Sequence, residues 1–353
     1  MHISTGNRAS DAVVPDFRAV SSEIGGRVRP IGVIYENDSW LAPLFAALDA
    51  IGAPYEPLYA VDATFDPAGP APEWSLAVNK VSPSSYLRDH GPAIPFARSF
   101  LPFLEERGVP VVNGSAAFRL ETSKAQQLLL LHSLGIRAPR ARVVTSRARL
   151  AAVAAGLRSP VIVKPNVGGS GALMRRFADA EALDAAGPSL DLGPDGSALV
   201  QEYLEPADGA IVRVEFLDGE FLYAIRITND RDQDFNLCPA DICQVPGPAA
   251  QFDNNPVDGP TKRPLQIRAF DPPDSMVEAV LRIARAGSLD VGGVEYLVAE
   301  RDGLPYVYDI NALSNFVTNA PSLVGFDPHA QFARWLVERA SRSPEHYLEE
   351  VLR

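Results

Sequence analysis

Cysteine is almost absent. Cys238 and Cys243 are the only two in 353 residues, and no Cys/His pair stands near them at metal-ligand spacing. That excludes a disulfide scaffold; free thiols in a reducing compartment are the expectation. Long apolar runs are missing too. The most apolar short stretch, 128–131, is far below the roughly 20 residues that span a bilayer. The opening MHISTGNRASDAVVPDF has no apolar core of the kind a secretory signal carries, so a cytoplasmic location and no membrane partner are expected. Basic excess is lacking as well: 32 Lys+Arg stand against 44 Asp+Glu, a net charge of −12. Nucleic acid is thereby excluded as a bulk partner, because binding its phosphates needs a basic surface. Lysine is the last scarcity. Only Lys80, Lys124, Lys164 and Lys262 occur, the other basic residues being arginine. In a chain that drifts to arginine wherever either cation serves, the surviving lysines are enriched at sites needing a compact ammonium.

What is present is an ordinary globular composition, 46% hydrophobic and 22% charged, long enough for two to three domains at about 150 residues each. Strands at 31–35, 57–60, 76–78 and 109–112 alternate with helices at 40–51 and 94–107. Ser39 is the expected N-cap of the first helix and Gly108 the stop of the second. Such alternation predicts a parallel, doubly wound layer. Ser123-Lys124-Ala125-Gln126 is a capping box opening a helix that Gly135 closes. Strands follow at 141–145, 161–164 and 199–204, then a hairpin, 212–217 with 221–228, about Asp218-Gly219. The segment 229–272 is rich in Asp, Asn and Pro and lacks periodicity; a loop that long is usually functional or disordered. A helix from Ser275 with a Ser275-x-x-Glu278 box, strands 291–300 and 304–310, and helices at 328–341 and 345–352 complete the chain. The expected divisions are a loose leader (1–28), an N-terminal α/β unit (29–118), a small central unit (119–198) and a C-terminal antiparallel unit (199–353).

Three segments carry chemistry. In VIVKPNVGGSG, 161–171, an apolar strand ends at Lys164 and enters a loop with Gly168, Gly169, Ser170 and Gly171. Glycines let backbone N–H groups approach phosphate oxygens, and a lysine at the strand end adds charge. A flexible hairpin with a surface lysine would look the same. Walker A and G-x-G-x-x-G patterns are both absent. In 292–316, Glu295, Asp309 and Asn311 interrupt apolar strands. A three-residue loop Arg301-Asp302-Gly303 would pair Glu300 with Leu304, set Glu295 opposite Asp309, and put Tyr296 against Tyr308 on the other face. Two adjacent carboxylates without a cation repel, and this oxygen set suits Mg²⁺ bound with substrate phosphates. A solvated face of an edge hairpin is the alternative. The third segment, LVQEYLEP at 199–206, is a strand exit able to present main-chain groups to an adenine edge.

In this order the three segments resemble the ATP-grasp superfamily, over roughly residues 75–340. RimK-type glutamate ligases are the nearest flavour, with glutathione synthetase and D-alanine–D-alanine ligase more distant. The resemblance implies an N-terminal α/β domain, a central lid domain, a C-terminal antiparallel-sheet domain, and ATP between the last two. It also implies roles. Lys124 and Lys164 contact ATP phosphates, with Lys164 counted among the catalytic groups. Gly168, Gly169, Ser170 and Gly171 fold over the β- and γ-phosphates. Glu202, Tyr203 and Leu204 line the adenine pocket. Glu295, Asp309 and Asn311 hold two Mg²⁺ (or Mn²⁺) ions. Arg226 steadies the transferring phosphoryl group, and Arg213 matches the arginine of the family's D-I-R segment. The family's ribose-holding acid falls on Ile211, so Asp208 or Glu205 must substitute. Asn236-Leu237 is similar to the family's S-N-L segment and Asn315 falls in its Asn-rich tail; with Lys80 and Arg88 these form the expected substrate set. The implied reaction is ADP-forming ligation of a small-molecule carboxylate to an amine, an amino acid or short peptide, outside the usual substrates of the family. A grasp-type small-molecule kinase and a non-ligating ATP-binding module stay open, as does assembly into a homo-oligomer.

Overall fold

A computed structural model describes residues 29–228 and 265–342. The leader 1–28, the segment 229–264 and the helix expected at 345–352 lie outside the described residues, and with them Asn236.

The first layer is a parallel sheet of β1 (Ile31–Tyr35), β2 (Tyr55–Tyr59), β3 (Leu76–Lys80) and β4 (Val111–Val112), ordered β2-β1-β3-β4. The central strands β1 and β3 are buried almost throughout, while the edge strand β2 exposes Glu56 and Pro57. The chain leaves β1 toward β2 on one side and returns as β3 on the other. The carboxyl ends of β1 and β3 therefore flank a switch point, where ligands of such sheets sit. The helix Asp38–Ala50 starts there. Its N-cap is Asn37, which accepts from Trp40 N at 3.3 Å; Ser39, expected as the cap, instead donates its hydroxyl to Asn37 at 2.8 Å.

The second layer is antiparallel: β5 (Ala141–Val144), β6 (Val161–Pro165), β7 (Arg175–Phe177) and β8 (Ala198–Glu202), ordered β5-β8-β6-β7. The glycine-rich segment joins β6 to β7. The strand that carries Gln201 and Glu202 pairs here, alongside β6. Lys164 and Leu199 are consequently cross-strand neighbours.

The third layer holds β9 (Ala210–Leu217), β10 (Glu220–Thr228), β11 (Gln266–Ala269), β12 (Val291–Val298) and β13 (Pro305–Asn311), antiparallel and ordered β11-β10-β9-β12-β13. The β9–β10 turn has Asp218 and Gly219 both at positive φ, 55° and 72°, the two-residue hairpin geometry that this pair predicts. β11 lies within 229–272, so the end of that segment is a strand rather than a loop. One face of the sheet buries Val212, Val214, Phe216, Val294 and Ile310 against the helix Asp274–Ala286 through Met276, Val280 and Ile283. That helix has Pro273 as its N-cap and no side-chain cap; the Ser275 box is not formed. The opposite face carries charges, and it fronts the cleft. Ile31, Val33 and Leu41 of the first layer share one core with Ile225, Phe316 and Phe332, so the layers meet as a packed interior rather than across a linker.

Candidate active site

The charged face is built by strand parity. On β9, Arg213 and Glu215 are two apart, and Arg213 pairs opposite Glu295 of β12. Glu295 pairs opposite Asp309 of β13, and Gly293 opposite Asn311. All of these side chains share a face. Arg213 Nε donates to Glu215 at 2.6 Å and its Nη1 to Glu295 at 2.9 Å; Ser314 donates its hydroxyl to Glu215 at 2.9 Å. Glu215 is fully buried and was missed in the sequence. Its signal was there, since an acid two residues from an arginine in an otherwise apolar strand is a buried pair in waiting.

The predicted pairing of Glu295 with Asp309 is realised by an unpredicted route. The strands beyond the pair run one residue out of the expected register: Val298 faces Pro305, and Tyr296 faces Val307 rather than Tyr308. The Glu300–Leu304 pair is absent too; Ala299 N donates to Leu304 O at 2.9 Å, while Glu300 N reaches Glu205 O. A bulge at Tyr308 restores the register at Asp309. Tyr308 is the extra residue, and it lines the cleft instead of the apolar face.

Two lysines enter from other elements. Ser123 caps the helix Lys124–Ser133, accepting from Gln126 N at 3.3 Å as its box predicts. Asn166, at the mouth of the glycine loop, accepts through its backbone oxygen from Lys124 N and through Oδ1 from Ala125 N and the Ser123 hydroxyl. This clip joins the two lysine-bearing elements. Lys124 Nζ reaches Asp309 Oδ1 at 2.7 Å, and Lys164 Nζ lies 3.4 Å from Tyr308 O. Burial works against the Lys124 ammonium, yet Asp309 outweighs it and the pKa is raised. Among the described residues Lys164 has no such carboxylate contact. Burial, then the charge on Lys124, pulls it from 10.5 down to about 7. Burial opposes ionisation of Asp309, but Lys124 and Lys164 hold its pKa below the ordinary value. Glu295 moves the other way, burial prevailing over Arg213. Glu121, another residue the sequence did not flag, ends a short helix with its Oε2 on Ala312 N, and burial raises it to about 7.

The cleft brings together Lys124, Lys164, Gly168, Gly169, Ser170, Gly171, Glu202, Tyr203, Leu204, Arg213, Glu295, Asp309, Asn311 and Asn315, all expected at the site. In the glycine loop Ser170 and Gly171 both take positive φ, 56° and 66°, turning the loop over the cleft. Glu202 is more than a backbone contributor. It is buried and ion-paired to Arg301 at 3.2 Å and Arg140 at 3.4 Å, tying the second layer to the β12–β13 hairpin.

Four expectations do not hold. Arg226 pairs opposite Val212, on the face away from Arg213, and is bound to Asp208 at 2.5 Å. Neither Arg226 nor Asp208 lines the cleft; Glu205 does, paired with Arg176 at 3.1 Å. Arg88 is held by Glu36 at 2.6 Å, and Lys80 is buried on Ser314 O at 2.6 Å. Both stand behind the cleft wall rather than in it.

The oxygen donors fit a hard cation. Two opposed carboxylates and an amide on one face match Mg²⁺ or Mn²⁺, which are usually held by one or two carboxylates plus substrate phosphates. Among the described residues no cluster of three His, Cys, Asp or Glu forms a cage of protein ligands alone. Also among the described residues, no helix is long and apolar enough to cross a membrane.

Close packing keeps this face rigid. A Cβ at Gly293 would stand 2.6 Å from Arg213 Nη2. Gly293→Ala is therefore expected to displace the guanidinium and destabilise the protein by about 1–3 kcal/mol, read from the denaturation midpoint. An unchanged midpoint would mean that Arg213 has room to move.

No family model matches the chain. Over 120 residues it is 37% identical to the D-alanine–D-alanine ligase of Ectopseudomonas mendocina (strain ymp), covering 34% of this chain and 37% of that ligase. The match thus spans little more than a third of that relative's length. Solved structures align over far more. The ATP-grasp ligase PsnB, complexed with a minimal precursor, superposes over 89% of this chain and 100% of its own, with a TM-score of 0.62 and 17% identity. D-cycloserine synthetase DcsG covers 88% of this chain and 100% of its own, with a TM-score of 0.60 and 19% identity. A RimK domain ATP-grasp protein from Sphaerobacter thermophilus DSM 20745 covers 87% and 99%, with a TM-score of 0.60 and 18% identity. With its parallel N-terminal sheet, its small antiparallel sheet bearing the glycine loop, and its larger antiparallel sheet bearing the acids, this chain has the ATP-grasp fold.

Proposed function

We propose that the chain is an ADP-forming ligase that joins a small-molecule carboxylate to an amine through an acyl phosphate. The observation that carries this reading is the convergence, in one cleft under a glycine loop, of Lys124, Lys164, Arg213, Glu295, Asp309 and Asn311. The adenine ring enters between Leu204, Ile162 and Leu297, with the chain at Tyr203 and Leu204 offering main-chain groups to its edge. Lys164 and Lys124 receive the phosphates. Glu295, Asp309 and Asn311 hold two Mg²⁺ ions. When bound, these ions neutralise charge on the phosphoryl oxygens.

In this reading a substrate carboxylate oxygen attacks the γ-phosphorus and the bond to the ADP oxygen breaks, giving acyl phosphate and ADP. The amine nitrogen then attacks the acyl carbon, inorganic phosphate leaves, and the amine proton passes to solvent. The protein's part is positioning and charge. Arg213, held by Glu215, Glu295 and Ser314 at the cleft wall, is a charge fixed in place before the phosphates arrive. The glycine loop keeps water from the acyl phosphate.

The test is a screen of amino acids in pairs with ATP and Mg²⁺, reading ADP, phosphate and product mass, with hydroxylamine added to trap the acyl phosphate. Amide product with stoichiometric ADP and phosphate is expected. ADP formed together with a phosphorylated product, and no free phosphate, would indicate a kinase instead.

A further inference from the structure

The cleft extends past the phosphate-binding lysines to the switch point of the first sheet. There it is lined by Trp40, Pro83 and Ser84 from the N-terminal layer and by Leu313 and Phe316 from the chain after β13. The glycine loop roofs this end: a Cβ on Gly169 would stand 3.6 Å from Ser84 Cβ and 3.8 Å from Pro83 Cγ. An indole ring, a leucine and a proline, backed by the buried Phe316, make an apolar wall with a hydroxyl as its neutral hydrogen-bonding edge.

The cations around this wall are already engaged from within. Arg88 stacks over the Trp40 ring at 4.3 Å, donates to Ser84 Oγ at 3.3 Å and is ion-paired at 2.6 Å with Glu36, which is 0% exposed. His90 Nδ1 lies 2.9 Å from the other oxygen of the same carboxylate. Lys80 is buried on a backbone carbonyl, and Arg213 lies between Glu215 and Glu295. A substrate side chain carrying a carboxylate would have to leave water and compete with Glu36 for Arg88. A desolvated carboxylate without a cationic partner is strongly disfavoured. An apolar side chain meets no such obstacle and covers the Trp40, Pro83 and Leu313 surfaces.

We infer that this end of the cleft is a side-chain subsite for a neutral apolar amino acid, aromatic or branched aliphatic, and that it rejects acidic ones. The inference rests on the ligase reading for the identity of the reacting groups, but the subsite can be tested by binding alone.

Calorimetry on the full chain with AMPPNP and Mg²⁺ present, titrating phenylalanine and leucine (both enantiomers) against glutamate and aspartate, should show the apolar amino acids binding at least 10-fold tighter. Trp40→Ala should weaken phenylalanine at least 10-fold and leave AMPPNP affinity within about twofold. Glu36→Gln, which takes the carboxylate from Arg88 at almost constant volume, should raise glutamate affinity. Glutamate binding as tightly as phenylalanine, an unchanged phenylalanine affinity in Trp40→Ala, or no binding by either class would each overturn the subsite. Apolar amino acids that bind yet support no ADP release with any amine would sink the ligase reading and leave the subsite standing. ADP release with glutamate but not with apolar acids would do the reverse.

Discussion

Asp309→Asn is expected to lower kcat by roughly 10³-fold or more while the protein stays folded. Asp309 is the acid around which the site is arranged. It faces Glu295 across the β12–β13 ladder and takes Lys124 at 2.7 Å. Its pKa is held low by Lys124 and then Lys164 against the pull of burial, so it is a carboxylate at any working pH. The amide in its place keeps the shape and still accepts from Lys124, but it removes one unit of negative charge from the proposed Mg²⁺ site. A Lewis acid contributes several kcal/mol to charge stabilisation in the transition state, which is the scale of the expected loss. The fold is expected to survive because the neighbouring interior is apolar: Val294, Tyr296, Val307 and Ile310 are buried on the other face of the same strands. The measurement is kcat over a Mg²⁺ titration beside a thermal melt. Full turnover at saturating Mg²⁺ would remove Asp309 from the metal set, whereas loss of the folded signal would make it structural.

That Asp309 could be picked from sequence at all depended on parity. Strand residues two apart share a face, so Asp309 with Asn311 and Glu295 opposite were legible from spacing. The register used to pair them was not. The loop takes in Glu300 as well as 301–303, one residue more than assumed, and the bulge at Tyr308 cancels the shift before it reaches Asp309. Bulges leave no sequence mark when the extra residue is a tyrosine among apolar neighbours. Parity misled at Arg226: the two-residue turn alone would put it on the Arg213 face, but the irregularity between Phe221 and Tyr223 pairs Ile225 with Arg213 and turns Arg226 to the other face. Glu121 and Trp40 were illegible for a different reason. Each acquires its surroundings from elements far along the chain, such as Arg88 for Trp40 and Ala312 for Glu121, and no local pattern encodes those contacts. Lysine scarcity did better. Lys80, Lys124 and Lys164 are all buried, which is where a compact ammonium differs most from a guanidinium.

Lys164→Met is expected to cut kcat/KM for ATP by roughly 10²–10³-fold, the scale of losing one preorganised charge, and at the same time to raise the melting temperature of the nucleotide-free protein. Both effects come from one fact. Lys164 is 3% exposed, it donates to a backbone oxygen at 3.4 Å, and burial with the Lys124 charge lowers its pKa to about 7. Without nucleotide the charged form is therefore a liability. The folded chain binds fewer protons at this residue than the unfolded chain between about pH 7 and the ordinary 10.5. The penalty is fully present below about 7 and is relieved as pH rises through that window, so stability from this group increases with pH. Phosphates reverse the balance. An anionic ligand restores the proton, so ATP binding takes one up above pH 7, and affinity should fall by up to about tenfold per pH unit there. Methionine has neither the charge nor the penalty, so the variant should lose this pH slope along with its activity. Lys164→Arg should not rescue, because a planar guanidinium needs room that this buried strand end lacks. Near-native kcat/KM for ATP in Lys164→Arg would end the phosphate assignment. A lower melting temperature in Lys164→Met would mean that the Tyr308 carbonyl alone satisfies the ammonium.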